Sequence, residues 1–245
     1  MKAFFAAFSF ALGFAAVAHA SPINGTGDVT PDIIFGSGND NGGFTGQTAN
    51  NIEVGLRGKQ RYPSPANIFN YDGDHTYRFD PTVLTGPTNR SIFNFEFSIN
   101  VDQNGTSGAV LSDFSYGISV DTNPGILATF TTVDPFATPL WFDHALGTNA
   151  TANGGGYEPT DNTDLTANMS SYSVAQQSAN LGFGWSGDPD AHGTYDFRLQ
   201  VFSLGTSDVL SESFIQVVVT PVPAALPLLA SAFGLIALVK RRRKA

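Results

Sequence analysis

Strict alternation of apolar and polar side chains, turn chemistry every ten residues or so, and no sustained helical period predict an all-β fold, an antiparallel β-sandwich or jelly roll. In chain order, residues 33–35 give a short apolar run. Ile52, Val54 and Leu56 then alternate with Glu53 and Arg57, and Thr76–Phe79 forms a further short candidate. Phe93, Phe95, Phe97, Ile99 and Val101 alternate with Asn94, Glu96, Ser98 and Asn100. Period two over such a span is a strand with one buried face. Asp102-Gln103-Asn104-Gly105-Thr106-Ser107-Gly108 supplies a reversal, after which Phe114, Tyr116, Ile118 and Val120 repeat the pattern. Shorter candidates lie at 126–133, 140–142, 172–175 and 181–185. Tyr195, Phe197, Leu199 and Val201 alternate with Asp196, Arg198 and Gln200, and Ile215, Val217 and Val219 close the series. Gly205-Thr206-Ser207-Asp208 reads as the turn of a hairpin between the last two runs. Two segments stand apart: 21–50, rich in Gly, Asn, Asp and Thr, is expected to fray or wrap the surface. The stretch 143–168, with Gly154-Gly155-Gly156, reads as a long loop, functional or mobile.

The organisation is tripartite: residues 1–20, a domain over 21–219, and a tail over 220–245. About 200 residues suffice for one hydrophobic core, and 15 of the chain's 21 phenylalanines lie within them. The domain carries six basic residues (Arg57, Lys59, Arg61, Arg78, Arg90, Arg198) against all 21 acidic ones, a formal −15 where the whole chain has −9. Such an exterior disfavours nucleic acid and anionic polysaccharide as direct partners and suits neutral glycans or divalent cations, solubility being the plainer meaning. With no cysteine, disulfide staples, thiolate catalysis and cysteine metal sites are all excluded.

Chemistry has few places to sit. Trp141-Phe142-Asp143-His144, followed by Tyr157, sets aromatic faces beside polar groups, the combination that stacks on a sugar ring and bonds its hydroxyls. Trp141, Asp143, His144 and Tyr157 are therefore the candidate glycan-binding residues, the plainer expectation being that Trp141 and Phe142 cap the core. Asp72-Gly73-Asp74 can place two carboxylates around Ca²⁺, which takes six to eight oxygens, although Asp-Gly-Asp is more often a β-turn and the full EF-hand pattern is absent. Asp102-Gln103-Asn104-Gly105 shares that ambiguity. Glu53 and Glu96, on the polar faces of two strands, could form a glycosidase pair about 5 to 9 Å apart across a concave sheet. No nucleophile elbow, His-Glu-x-x-His, phosphate loop or dinucleotide fingerprint is present, and a non-enzymatic role is expected, with no resident cofactor.

Both ends carry addresses. Lys2, the apolar run 3–17 and the small-x-small site Ala18-His19-Ala20 read as a secretory signal peptide, the mature chain beginning near Ser21. At the other end Thr220-Pro221-Val222-Pro223-Ala224 leads into an uncharged apolar run to Val239, then Lys240, Arg241, Arg242, Arg243 and Lys244. Sixteen helical residues reach about 24 Å, somewhat short of a hydrocarbon core of about 30 Å but within what snorkelling of the flanking cations accommodates. The basic cluster acts as a stop-transfer signal and orients the chain with its bulk outside the cytoplasm.

This tail resembles the PEP-CTERM class of sorting signals, in the variant with a Val-Pro-Leu-Pro-Ala core found in Gram-negative bacteria. Pro221, Pro223, Ala224, Ala225, Leu226, Pro227, Leu228 and Leu229 match the pattern, with Thr220 in place of the first Val and Val222 in place of Leu. The resemblance implies export, transit through the inner membrane, and processing by an exosortase-type membrane transpeptidase near the motif, with delivery to the cell surface or extracellular matrix. It implies nothing about an activity. A role in adhesion or biofilm structure is the expectation that follows, with a glycan-binding module second and a jelly-roll glycoside hydrolase or lyase third.

Overall fold

The computed structural model describes residues 23–24, 29, 34, 43–125, 127–137, 141–185 and 188–221. The expected signal peptide and the tail from Val222 onward lie outside the described residues. Among the described residues no helix is long and apolar enough to cross a membrane.

The fold is all-β, in two sheets. Among the described residues its strands are β1 (Ile23–Asn24), β2 (Thr45–Ala49), β3 (Ile52–Gln60), β4 (Thr76–Phe79), β5 (Phe93–Asn100), β6 (Phe114–Asp121), β7 (Phe130–Val133), β8 (Ala145–Gly147), β9 (Val174–Ala179), β10 (Gly193–Ser203) and β11 (Val209–Val219), with one short α-helix, α1 (Asn162–Asn168), and a 3-10 turn at Leu111–Asp113. One sheet runs β1-β2-β3-β5-β9-β8 and the other β4-β11-β10-β6-β7. All pairings are antiparallel save β4 with β11. That departure from a purely antiparallel expectation arises because β4 crosses from the end of β3 to the edge of the other sheet and runs beside the last strand.

The alternating positions do what the pattern predicts. Val54, Leu56, Phe95, Phe97 and Ile99 of one sheet meet Phe79, Ile118, Val120, Phe197, Leu199, Ile215 and Val217 of the other in one core. β10 and β11 cross over β3, and Gly58 lets β11 approach: a Cβ there would lie 3.2 Å from Val217 Cγ2. Ser213 Oγ donates to Thr45 O at 2.6 Å, and Thr45 and Tyr77 share a hydroxyl–hydroxyl bond of 2.8 Å, tying the layers.

The polar faces of β3 and β5 do not meet solvent as alternation alone implies. Every residue of β5 is buried, because segments outside the two sheets cover the outer face of the six-stranded sheet. Val29 and Phe44 close over Gly55, where a Cβ would sit 2.8 Å from Val29 Cγ1. Ile34 packs with Ala145 and Val174, and its amide donates to Gln176 Oε1. The segment 21–50 therefore wraps at these points, and it also holds β2, which alternation in Thr45-Gly46-Gln47-Thr48-Ala49 does not announce. The turn after it, Asn50-Asn51, has φ of 53° and 64°, the signature of a two-residue hairpin of the primed kind.

Two further expectations shift. Residues 141–142 and 181–185 are not strands, whereas 145–147 is. The long segment 143–168 is not one loop, since it contains β8 and α1, the latter capped by Asp161, whose side chain accepts from the amide of Asp164.

Candidate functional site

β8 pairs with β9 only at Val174, Ala175 and Gln176. Beyond Gln176, among the described residues, that side of β9 has no strand partner, and residues 141–143 run past it instead. A cleft of about 480 Å³ opens there, within the range of small-ligand sites. Its floor is polar: Lys59 of β3, Asn94 of β5 and Ser178 of β9, with Asn94 Nδ2 donating to Ser178 Oγ at 2.9 Å. Trp141, Phe142, Asp143 and Gln177 form one side, and Arg61, Pro65 and Phe183 complete the rim. Gln177 Nε2 donates to Asp143 Oδ1 at 2.7 Å, fixing the carboxylate at the mouth.

Of the four candidate sugar-binding residues, the fold brings Trp141 and Asp143 to this cleft and leaves the other two away from it. Trp141 is only 3 % exposed and stacks edge-on to Phe95 and beside Trp185 at 5.3 Å, so it is as much a core residue as a wall. His144 is fully buried between Phe97 and Phe136, its Nε2 within 3.1 Å of Pro135 O and its Nδ1 buried without a partner. Burial pushes its pKa down to about 4, so it is neutral at ordinary pH. Tyr157 bridges to Leu146, stacks on Tyr172 and donates to Asp164 Oδ2 at 2.6 Å, locking α1 to the β8 edge. Adjacency in sequence placed Trp141, Asp143 and His144 together, but successive residues beside an extended segment point opposite ways, and His144 goes inward.

The acidic candidates resolve differently. Asp72 Oδ1 accepts the amides of Asp74 and Thr76, its Oδ2 accepts Arg78 Nη2, and Gly73 has φ of 97°. Asp74 pairs with His75 at 3.1 Å. Asp72 is thus committed within its own turn, whereas the Asp74 carboxylate is exposed with His75 beside it. Among the described residues no group of three or more His, Asp and Glu side chains is arranged to hold a metal ion. Asp102 likewise collects the amides of Thr106, Ser107 and Gly108, the hydroxyl of Ser107 and the amide group of Asn51. Burial alone would raise its carboxyl, but these donors, Ser107 foremost, bring it down to about 2.

Glu53 and Glu96 do not face each other. Glu53 stands opposite Asn100 and Glu96 opposite Arg57, four positions apart, or about 13 Å along the strands. Glu96 is fully buried in an ion cluster: Arg57 Nη2 and Nε both donate to its Oε2, and Lys59 Nζ lies 2.7 Å from its Oε1. The Arg57 guanidinium is stacked at 4.1 Å on Phe44 and 4.6 Å on Phe69. Sequence reasoning missed this cluster and with it Lys59, Arg61, Asn94 and Phe183 of the cleft. The available signal was opposite charge at outward positions of neighbouring strands, Arg57 and Lys59 on one and Glu96 on the next, which a register could have paired.

Comparison of the chain with protein-family models, curated proteins and solved structures yields no match.

Proposed function

We propose that this is an exported, non-enzymatic protein of the cell surface or extracellular matrix, delivered by a tail that an exosortase-type transpeptidase processes. The observation that carries the reading is the tail itself: proline motif, apolar run and terminal Lys-Arg-Arg-Arg-Lys in that order. Its position supports it further, because β11 runs to Val219 and the motif begins at the next residue. A processing enzyme working at Thr220 to Ala224 would release the whole folded domain. The two-layer β architecture, read here as a β-sandwich, suits a structural or adhesive cargo. The commitment of Glu96 to two cations weighs against hydrolysis by the Glu53/Glu96 pair. Replacing Pro221, Val222 and Pro223 together with alanine is the test. The expected outcome is an unshortened protein retained in the membrane fraction while the parent chain is shortened; identical fates for both would overturn the sorting reading.

A second reading has its own observation. The cleft beside β9 combines aromatic rings, amides and a fixed carboxylate, which is the chemistry of saccharide binding. Adhesion through a matrix glycan would unite the two readings. Trp141→Ala is a poor test of binding, since it would open the core at Phe95 and cost about 3 to 5 kcal/mol. Phe183, 43 % exposed at the rim, is the cleaner position, and Phe183→Ala should reduce a glycan-induced rise in melting temperature without lowering the unliganded midpoint.

A further inference from the structure

The cleft's charge is opposite in sign to that of the domain around it. Lys59 and Arg61 line it against one carboxylate, Asp143, among the described lining residues. Arg90 stacks on the rim residue Phe183 at 4.6 Å. Arg57 lies next to the floor, sharing Glu96 with Lys59. Four of the six basic residues of a domain with 21 acidic ones are thus gathered on or beside one face. Arg57 and Lys59 are drawn there by Glu96. Arg61 is not: its guanidinium lies 5.0 Å from the ring of Tyr62, and among the described residues no carboxylate pairs with it.

A half-buried arginine that no described acid neutralises, beside aromatic rings and a polar floor, is a receptor for a planar anion carried on a ring. The negative exterior does not forbid this, because charges beyond about 8 Å are largely screened at physiological ionic strength. From this placement we propose that the cleft binds an acidic saccharide, its carboxylate on Arg61 with Lys59 behind, and its ring against Phe183 and Phe142. Asn94 and Ser178 are placed for the hydroxyls, and Asp143 excludes polyanions too densely charged to keep clear of it. This rests on the glycan-binding reading of the cleft and replaces the neutral sugar that the overall charge suggested.

The test titrates the full chain, purified in detergent, with trimers of galacturonate, glucuronate and mannuronate, with their methyl esters, and with neutral trimers of galactose, glucose and mannose. Intrinsic fluorescence reads binding directly, since Trp141 lines the cleft and the chain's other tryptophan, Trp185, has its ring centroid 5.3 Å from that of Trp141. At least one uronate trimer is expected to bind, to lose about tenfold or more in affinity on esterification, and to weaken between about 50 and 500 mM salt. Arg61→Ala should cost about tenfold toward the acid and little toward the ester, with partial recovery in Arg61→Lys, while Phe183→Ala should weaken both. Equal affinity for acid and ester, or binding of neutral trimers alone, would overturn the acidic-saccharide inference and leave the glycan reading standing. Binding of none of the probes would overturn both.

Discussion

Two side chains carry most of what can be tested at the scale of single residues. Glu96 is shared by Arg57 and Lys59 in a site closed by Phe44 and Phe69. Removing one member of a buried ion cluster leaves charge without its counter-charge, which costs far more than the cluster itself contributes. Glu96→Gln is therefore expected to lower the unfolding free energy by about 3 to 5 kcal/mol, measured by urea denaturation. His144 sets a pH window. Its folded pKa is about 4 against an ordinary 6.5, so on acidification the unfolded chain takes up the proton first. The stability it confers is complete above about pH 6.5 and falls as pH drops toward 4, by about 3 kcal/mol in all. Urea midpoints across that range should decline for the parent chain, and the decline attributable to this group should vanish in His144→Gln. A decline of unchanged slope in that variant would show that other groups set the acid limb.

Among the elements, the β2–β3 hairpin is the sharpest case. Asn50 and Asn51 both occupy positive φ, where glycine is conformationally cheaper. By turn chemistry alone, Asn51→Gly should stabilise. Asn51 nevertheless does more than turn: its amide group donates to Asp102 and Ser107, and its carbonyl oxygen accepts the amide of Asn104. Asp102 in turn organises the reversal after β5. Asn51→Gly is expected to destabilise by about 1 to 2 kcal/mol, the loss of these bonds exceeding the backbone gain. A rise in midpoint would mean the contacts between the two turns contribute nothing. The same hairpin explains why β2 escaped the sequence reading: Thr45-Gly46-Gln47-Thr48-Ala49 offers no large apolar residue, and the strand is held by register with β3 and by the sheet opposite. Elements with strong alternation, β5, β6 and β10, were legible almost to the residue because their burial is their own. β8, with three residues, and α1, with one buried leucine, are fixed by neighbours.

For the whole molecule, the two-sheet all-β arrangement followed from phenylalanine and isoleucine at every second position, which need a facing layer to bury them. The parallel pairing of β4 with β11 did not, since nothing local encodes which edge a four-residue strand will join. The cleft was half legible. Trp141 and Asp143 stood out as residue types, but Lys59 and Arg61, Asn94, and Phe183 come from three separate stretches of chain and meet only through the β3-β5-β9 order. Charge misled at this scale as well, because a formal −15 over the domain conceals a local gathering of arginines. Conversely, the tail proposed as a sorting signal is legible only in sequence, and the proposed function rests on it more than on any feature of the folded domain. On that proposal, the tail delivers the domain to the cell surface by being cut. Intact-mass measurement of the protein from its native host, taken separately from membrane and medium, distinguishes cutting from plain anchoring. The expected species begins at Ser21 and ends within Thr220 to Ala224, with or without the mass of an acceptor. A species still carrying Arg241 to Ala245, and found only in membranes, would contradict the proposal.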